Sequence, residues 1–597
     1  MCSSSTLPAE VTPPGLRQRL SHLRLPSPPN VVALLLACLF LLRLPTALVP
    51  REFNVDESQL LSEAMKFMVD LRLWKTIESC GPFNSGLISV FLFIGFKPGY
   101  VLVHMLESLV LCLQVLVAYM TLRRLASEKT AALGALLMVF LYGTYTHVHY
   151  LHYNTESLPA LFVMVGFYLF LKWLDEVGTG VMTAQLFTLF LCGLALGAAP
   201  WCKIQAIPLS GALGLLVMAA IVRARNILVT PLRRATEFGA FLCGAVLATC
   251  IMVVVAAASG ATKDLWYSYI RAPLAYVGGL SWTTTLENIA RVILVTPVHQ
   301  LLLVALLGVA LLDTAPRKGG LRRRFNVNKW ALGGLMVYAA AALIATCRSN
   351  NFWPKHAIFF VPPMTYVAAI LLSAGASAWL HEREGQMLKA GAFPVLFGPV
   401  LVLIATVGLY VAHTTRYIEK TQAMLHLSHM QPDLKQADAK DEAPHSEAAL
   451  IGPRYWDLPG DGTQRIAAVV ASLKQTRPVR SLAVWGWAPG IYVLTGIAPA
   501  TRDTITQRAI DKGPLQQYFQ TRFVADMQAN PPDLFIDAIA KGVFLWRTWT
   551  ENDGYESNPE LRKYIDENYA LVTELTLVRG AKPVRFFARR QSHSVEE

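Results

Sequence analysis

Eleven apolar stretches, each close to the length that crosses a bilayer, constrain this chain more than any other feature. They run at 31–49, 102–122, 130–146, 157–174, 182–199, 204–222, 238–259, 292–312, 330–346, 356–379 and 392–412. A hydrocarbon core about 30 Å thick needs roughly 20 apolar residues in helical form. Inside it, only structures that pair every backbone polar group internally survive. The expectation is therefore an α-helical polytopic membrane protein with about 11 transmembrane helices. Apolar residues make up 54% of the chain and charged ones 16%, with mean hydropathy +0.41. Soluble domains sit nearer 45–50% and about 25%. Disorder, a collagen-like fibre and a cytosolic enzyme are excluded for the molecule as a whole. The stretch 83–96 reads as a re-entrant or interfacial piece, and the first span as a retained anchor, not a cleaved signal.

The net charge of +13 is a topology signal, not a nucleic-acid footprint. After residue 412 there are 22 basic and 22 acidic residues, leaving 31 and 18 before it. With the N-terminus inside, the inner loops hold 19 basic and 8 acidic residues and the outer loops 11 and 9. Arg43 and Glu107 fall within spans. The positive-inside rule then makes residues 1–30 a cytoplasmic segment and puts the tail outside the cytoplasm. None of the nine cysteines lies in that tail. Cys80, Cys202 and Cys347 share the outer face and stay open as disulfide partners.

The expected organisation is a transmembrane domain at 31–412 with its first outer loop at 50–101, a polar linker at 413–460, and a mixed α/β domain at 461–597. In the tail, Arg465–Leu473, Gln516–Asn530 and Leu561–Tyr569 read as helices. Ser481–Trp485 and Leu534–Asp537 read as buried strands, and Ala570–Val578 with Val584–Ala588 as a hairpin. No Walker-type or GxGxxG loop is present.

Ionisable residues at the outer ends of spans carry the chemistry. Asp56 and Glu57 open an amphipathic stretch, Glu57–Leu73, that reads as a helix along the membrane surface. Adjacent carboxylates on a loop are commonly plain solvated surface, but near a helix bundle one of them suits a general base. Glu156, at the entry to span four, suits either a helix cap or a buried functional acid. His147, His149 and His152 nearby match neither one helix face nor a common zinc spacing. Lys203 with Gln205, and Arg348, Lys355 and His356, are either snorkelling anchors or a phosphate pocket at headgroup level. The shared membrane side of both basic loops and both acids favours the pocket. Trp266, Tyr267 and Tyr276, in the outer loop 260–291, suit a substrate lining or an interfacial belt equally.

In order along the chain stand NVDES, GPFNSGLISVFLFIGF, HYNTESLPALF, CKIQAIPL and RSNNFWPKHAIFFVPPM, then in the tail VWGWAPGIYVLTGIAPATR, PPDLFID, ENYALV and VRFFARR. This series resembles the GT-C superfamily of glycosyltransferases. Within it, the likeness is to bacterial relatives of protein O-mannosyltransferases (glycosyltransferase family 39), which include the lipid A aminoarabinose transferases. It covers nearly the whole chain. The resemblance implies a GT-C fold and inverting transfer of a sugar from a polyprenyl-phosphate donor to an acceptor hydroxyl on a cell-envelope glycan, lipid or protein. It implies that Asp56, supported by Glu57, and Glu156 are the catalytic acids. Lys203, Arg348 and His356, with Lys355 and Gln205 as neighbours, would hold donor phosphate. The chain departs from the pattern at Ala357, where relatives often carry an aromatic after the histidine. The resemblance names no definite cofactor, and a divalent cation near the acids stays open. It places the protein in a bacterial inner membrane, with the lipid donor, the acceptor and the bilayer as partners and no nucleic acid.

The competing reading is a transporter or flippase of a lipid-linked or small polar substrate. Transporters place polar groups near the midplane and repeat their halves. Here the polar groups lie at one rim, Arg43 and Glu107 apart, and the halves are dissimilar.

Overall fold

The computed structural model describes residues 28–72, 81–177, 182–223, 230–277, 281–313, 328–348, 352–383, most of 400–418 with 421, 462–545 and 549–590. The expected N-terminal segment, the 413–460 linker beyond its first residues, Cys80 and the start of the 392–412 span lie outside these residues.

Eight helices among the described residues are long and apolar enough to cross a membrane, and the chain is a multi-pass membrane protein. In chain order the bundle comprises α1 (Pro28–Ala47), α4 (Tyr100–Leu125), α5 (Glu128–Thr144), α6 (Ser157–Glu176), α7 (Met182–Cys202), α8 (Ile207–Arg223), α9 (Pro231–Ala258), α12 (Lys329–Cys347) and α13 (Val361–Arg383). α8 reaches spanning length together with the 3₁₀ turn before it (Ile204–Arg223), whereas the 17-residue α5 is not one of the eight and packs among α1, α4 and α13. Helix association in lipid relies on close approach of backbones, and α7 against α9 shows why. The Gly193-x-x-x-Gly197 spacing lays bare backbone on α9: a Cβ at Gly197 would fall 2.0 Å from the Ala245 carbonyl oxygen.

One expected span is corrected. The apolar run 292–312 is not a single rod but parts of α10 (Trp282–Val295) and α11 (Val298–Asp313), which meet at 79°. Pro297 lacks an N–H and disfavours helical backbone in the residue before it, and Thr296 is accordingly extended (φ −107°, ψ 165°).

Between α1 and α4 lie two short helices, α2 (Val55–Val69) and the apolar α3 (Pro82–Phe93). The expected surface helix is corrected too. From Val55 to Lys66 nearly every α2 residue is buried, polar ones included. One set of its side chains (Leu60, Leu61, Ala64) packs with Ile88, Tyr100, Val103 and Tyr153, and also meets Val493 of the tail. Val55 joins the apolar core of the tail around Trp487 and Ile505. The helix is sandwiched between bundle and tail, not laid on lipid. Cys202 and Cys347 are buried free thiols, so neither is a disulfide partner.

The tail is a mixed α/β unit: α14 (Gly462–Thr476), β1 (Leu482–Trp485), α15 (Gly490–Thr495), α16 (Gln516–Ala529), β2 (Leu534–Asp537), α17 (Pro559–Asn568), β3 (Tyr569–Leu575) and β4 (Val584–Arg589). Its four-stranded sheet has the order β1-β2-β4-β3, with β1 parallel to β2 and the other pairs antiparallel. All residues of β1 and β2 are buried, as a strand covered on both faces requires. A charge cluster docks the unit on the segment 262–271. Arg522 donates to Ser268 Oγ (2.8 Å) and Asp264 (3.3 Å), and Arg502 pairs with Asp264 at 2.9 Å.

Candidate active site

The first acidic motif forms the start of α2. Asn54 caps the helix, its side-chain oxygen accepting from the Asp56 N–H at 2.9 Å. Glu57 completes a capping box by accepting from the Phe53 and Asn54 N–H groups. The other Glu57 oxygen meets His104 Nε2 at 2.9 Å, with both side chains fully buried. Glu57 is thus committed to the helix start. Asp56, one residue earlier, pairs instead with Lys355.

The second acid sits just before α6. Glu156 is fully buried; its carboxylate pairs with Lys203 Nζ at 2.6 Å and lies 3.6 Å from His356 Nε2. Thr155 donates to its second oxygen at 2.8 Å and itself accepts from Lys203. Lys203 reaches this position because the chain leaves helical geometry at the end of α7 (φ −158°, ψ 129°) before a single 3₁₀ turn. Lys355 and His356 lie on another 3₁₀ turn, Pro354–Phe359. Two bonds pin that turn to the bundle: Tyr150 OH donates to the Pro354 carbonyl (2.8 Å) and Thr346 Oγ1 to that of His356 (3.0 Å). Gln205 Nε2 lies 3.4 Å from His356 Nε2. Gln205 Oε1 and His356 Nδ1 are buried with no hydrogen-bond partner among the described residues.

These residues meet at one cavity of about 430 Å³. The bundle side supplies Asn54, Asp56, His149, Lys203, Gln205, Trp353, Lys355 and His356, and the tail supplies Trp487, Gln507, Arg508, Asp511, Lys512, Gln516 and Phe544. Glu156 stands behind the wall and holds two of the lining groups. Burial opposes ionisation of Asp56, but Lys355 and Lys203 outweigh it and hold its pKa below the usual carboxylate value. The same contest at Glu156, with Lys203, Lys355 and His356 as the opposing charges, also ends in a lowered pKa. Burial is the main cause that brings His356 down to about 3, partly offset by Glu156. His149 is likewise kept neutral by burial first and by Lys355 next. The bundle-side wall therefore presents two ammonium groups, Lys203 and Lys355, matched to Glu156 and Asp56, beside neutral imidazoles.

Of the residues singled out from sequence, Asp56, Lys203, Gln205, Lys355 and His356 line this cavity and Glu156 backs it. Glu57 does not line it. Arg348 is exposed at the end of α12 and stacks over the Trp282 ring at 5.4 Å. Trp266 is exposed, and Tyr267 stacks on Tyr518 of the tail at 4.2 Å between centroids. The Tyr276 side chain lies outside the described residues. From the stretch 260–291 it is Ala272, Pro273 and Ala275 that line the cavity. Sequence reasoning did not place His149, Trp353 or any named residue of the tail at the site. The GWAPG turn after β1 was the one available signal, since it places Trp487 at the end of a buried strand.

No group of three or more His, Cys, Asp or Glu converges as metal ligands among the described residues. An ammonium group stands against both Asp56 and Glu156, so these two carboxylates do not fit as ligands of a divalent cation.

No protein-family profile matches the chain, and no curated protein matches it. Solved structures do. ArnT from Cupriavidus metallidurans bound to undecaprenyl phosphate aligns with a TM-score of 0.54 at 14% identity, over 94% of this chain and 98% of that one. The chain has the GT-C fold. An oligosaccharyltransferase from Archaeoglobus fulgidus in the apo form aligns with a TM-score of 0.49 at 13% identity, over 95% of this chain and 75% of that one. Within this GT-C fold the cavity lies where the bundle meets the tail, and α2 and the turn at Pro354–Phe359 form its bundle-side wall.

Proposed function

We propose that the protein is an inverting glycosyltransferase that moves a sugar from a polyprenyl-phosphate donor to an acceptor hydroxyl at the extracytoplasmic face of a bacterial inner membrane. One observation carries this reading. Asp56 and Lys355, 299 residues apart in sequence, meet Lys203, Gln205 and His356 at a single cavity. The ArnT structure that shares the fold holds undecaprenyl phosphate, which supports a lipid phosphate as the ligand of those cations.

In the proposed reaction the donor phosphate takes Lys203 and Lys355, with Gln205 and His356 as further polar partners. Each ammonium then divides its charge between phosphate and carboxylate. Asp56 loses part of the stabilisation that lowers its pKa, and its basicity rises when the donor is bound. The acceptor oxygen attacks the anomeric carbon from the side opposite the phosphate, forming the new C–O bond. The bond between that carbon and the phosphate oxygen breaks, and its electron pair stays on the polyprenyl phosphate. The acceptor proton passes to the Asp56 carboxylate. The departing phosphate gains a charge at the moment of transfer, and cations preorganised around it stabilise that state more than the ground state. Glu156 keeps Lys203 and His356 in place throughout.

The test is reconstitution in vesicles with a panel of radiolabelled polyprenyl-phosphate sugars and envelope acceptors. Label should move to acceptor with inversion in the native protein, and Asp56→Asn should lose transfer while keeping the native melting temperature. Undiminished transfer in that variant would remove Asp56 from the base role.

A further inference from the structure

Two charges inside the bundle take no part in the cavity. Arg43 on α1 and Glu107 on α4 are about 1% exposed, and neither forms an ion pair with the other within contact distance. Ionisable groups buried among spans are costly and need a reason. Here the hydrogen bonds of both converge on one eight-residue segment, Tyr150–Ser157. Arg43 donates through Nη1 to the Tyr150 carbonyl (2.7 Å) and through Nη2 to that of Leu151 (2.9 Å). Glu107 accepts from Ser157 Oγ (2.6 Å) and from the Asn154 N–H (3.3 Å). Gln114 adds a bond to the Ser157 carbonyl (2.7 Å) and is itself held by Tyr142 OH (2.7 Å). The segment is gripped at both ends, and Thr155 and Glu156 ride between the grips.

We propose that Arg43 and Glu107 are positioning residues that fix the Tyr150–Ser157 segment and thereby set Glu156 against Lys203 and His356. The inference rests on the donor-phosphate reading for its consequence, but the grip itself is independent of it. Buried non-helical backbone needs protein partners for its polar groups, and a planar guanidinium fork is preorganised to serve two adjacent carbonyls, whereas an ammonium on a flexible stem is not. A carboxylate, unlike an amide, accepts at both oxygens. If the grip loosens, Lys203 and His356 lose the group that aligns them, while Asp56 and Lys355 keep each other.

The experiment compares the native protein with Arg43→Met, Arg43→Lys and Glu107→Gln in nanodiscs, reading peptide-level hydrogen exchange and the affinity for undecaprenyl phosphate. Exchange should rise by about tenfold in the peptide spanning the segment and little elsewhere. Binding of undecaprenyl phosphate should weaken by about tenfold in Arg43→Met and Glu107→Gln, with Arg43→Lys intermediate. Acceptor KM, measured by sugar transfer, should stay within about twofold. Unchanged exchange, exchange raised throughout the protein, or native affinity in both Arg43→Met and Glu107→Gln would overturn the proposal. Native protein that does not bind undecaprenyl phosphate would defeat the donor reading, while a rise in exchange confined to the segment would still uphold the grip.

Discussion

Lys355 reaches across the cavity from a turn between α12 and α13 to pair with Asp56 at the start of α2. The pair is mostly shielded, with the lysine side chain 8% and the aspartate 18% exposed. The lysine therefore sets the protonation state of the proposed base. In Lys355→Met burial acts on Asp56 with less opposition, and its pKa rises. A base must be ionised to work, so the acid limb of the pH–rate profile should move to higher pH in this variant. We expect a shift of about one unit or more, with transfer at neutral pH reduced by about 10²-fold. A profile superimposable on the native one would contradict the coupling.

His356 gives a second, opposite pH signature. Its folded pKa, about 3, lies below the unfolded value of about 6.5. Between those values the unfolded chain binds more protons, so this residue makes stability rise with pH through that window and leaves it flat above. Thermal melts of His356→Asn at pH 4, 5, 6 and 7 should show a shallower rise than the native protein. Parallel curves would mean that the imidazole is not held neutral by the fold.

Glu63, on α2, behaves in the contrary sense. Burial raises its pKa to about 7, against hydrogen bonds from Ser85 (2.6 Å) and Gln59 (3.0 Å) that lower it. A carboxyl with a raised folded pKa contributes stability below its unfolded value that is lost as pH climbs through about 7. Glu63→Gln, which cannot ionise, should match the native protein near pH 5 and melt several degrees higher at pH 8. Equal melting temperatures at both pH values would refute this.

The α7–α9 seam predicts a steric cost. At Gly197 a methyl group would sit 2.0 Å from the Ala245 carbonyl oxygen, and at Gly193 2.1 Å from that of Phe241. Both obstacles are backbone and cannot rotate away. Gly197→Ala should destabilise by about 1–3 kcal/mol through forced separation of the helices. The measurement is thermal unfolding of the detergent-solubilised protein. Gly211→Ala, where a Cβ meets nothing within 4 Å, serves as the neutral control.

The helical class, most of the spans and the α/β tail were legible because each follows from periodicity and length. The strands Leu482–Trp485 and Leu534–Asp537 announced themselves as short apolar runs beside turn residues. The bend at Pro297 was hidden because hydropathy does not register backbone direction. The burial of α2 was hidden for a related reason. The amphipathic pattern of Glu57–Leu73 suited a membrane surface, but its polar residues Gln59, Ser62 and Glu63 are buried and hydrogen-bonded within the fold. Among site residues, Asp56, Glu156, Lys203 and the Lys355–His356 pair were legible as charges at span ends. Glu57 could not be separated from Asp56 without seeing that its carboxylate closes a helix cap. Arg508 and Lys512 carried no local mark at all, because their place at the cavity depends on how the tail docks.

The sandwiching of α2 has a consequence for biogenesis. The proposed base precedes Trp487 and Arg508, which line the same cavity, by several hundred residues. A growing polypeptide thus carries this carboxylate before the residues that wall it in, and the cavity is complete only once the sheet-bearing unit docks on α2.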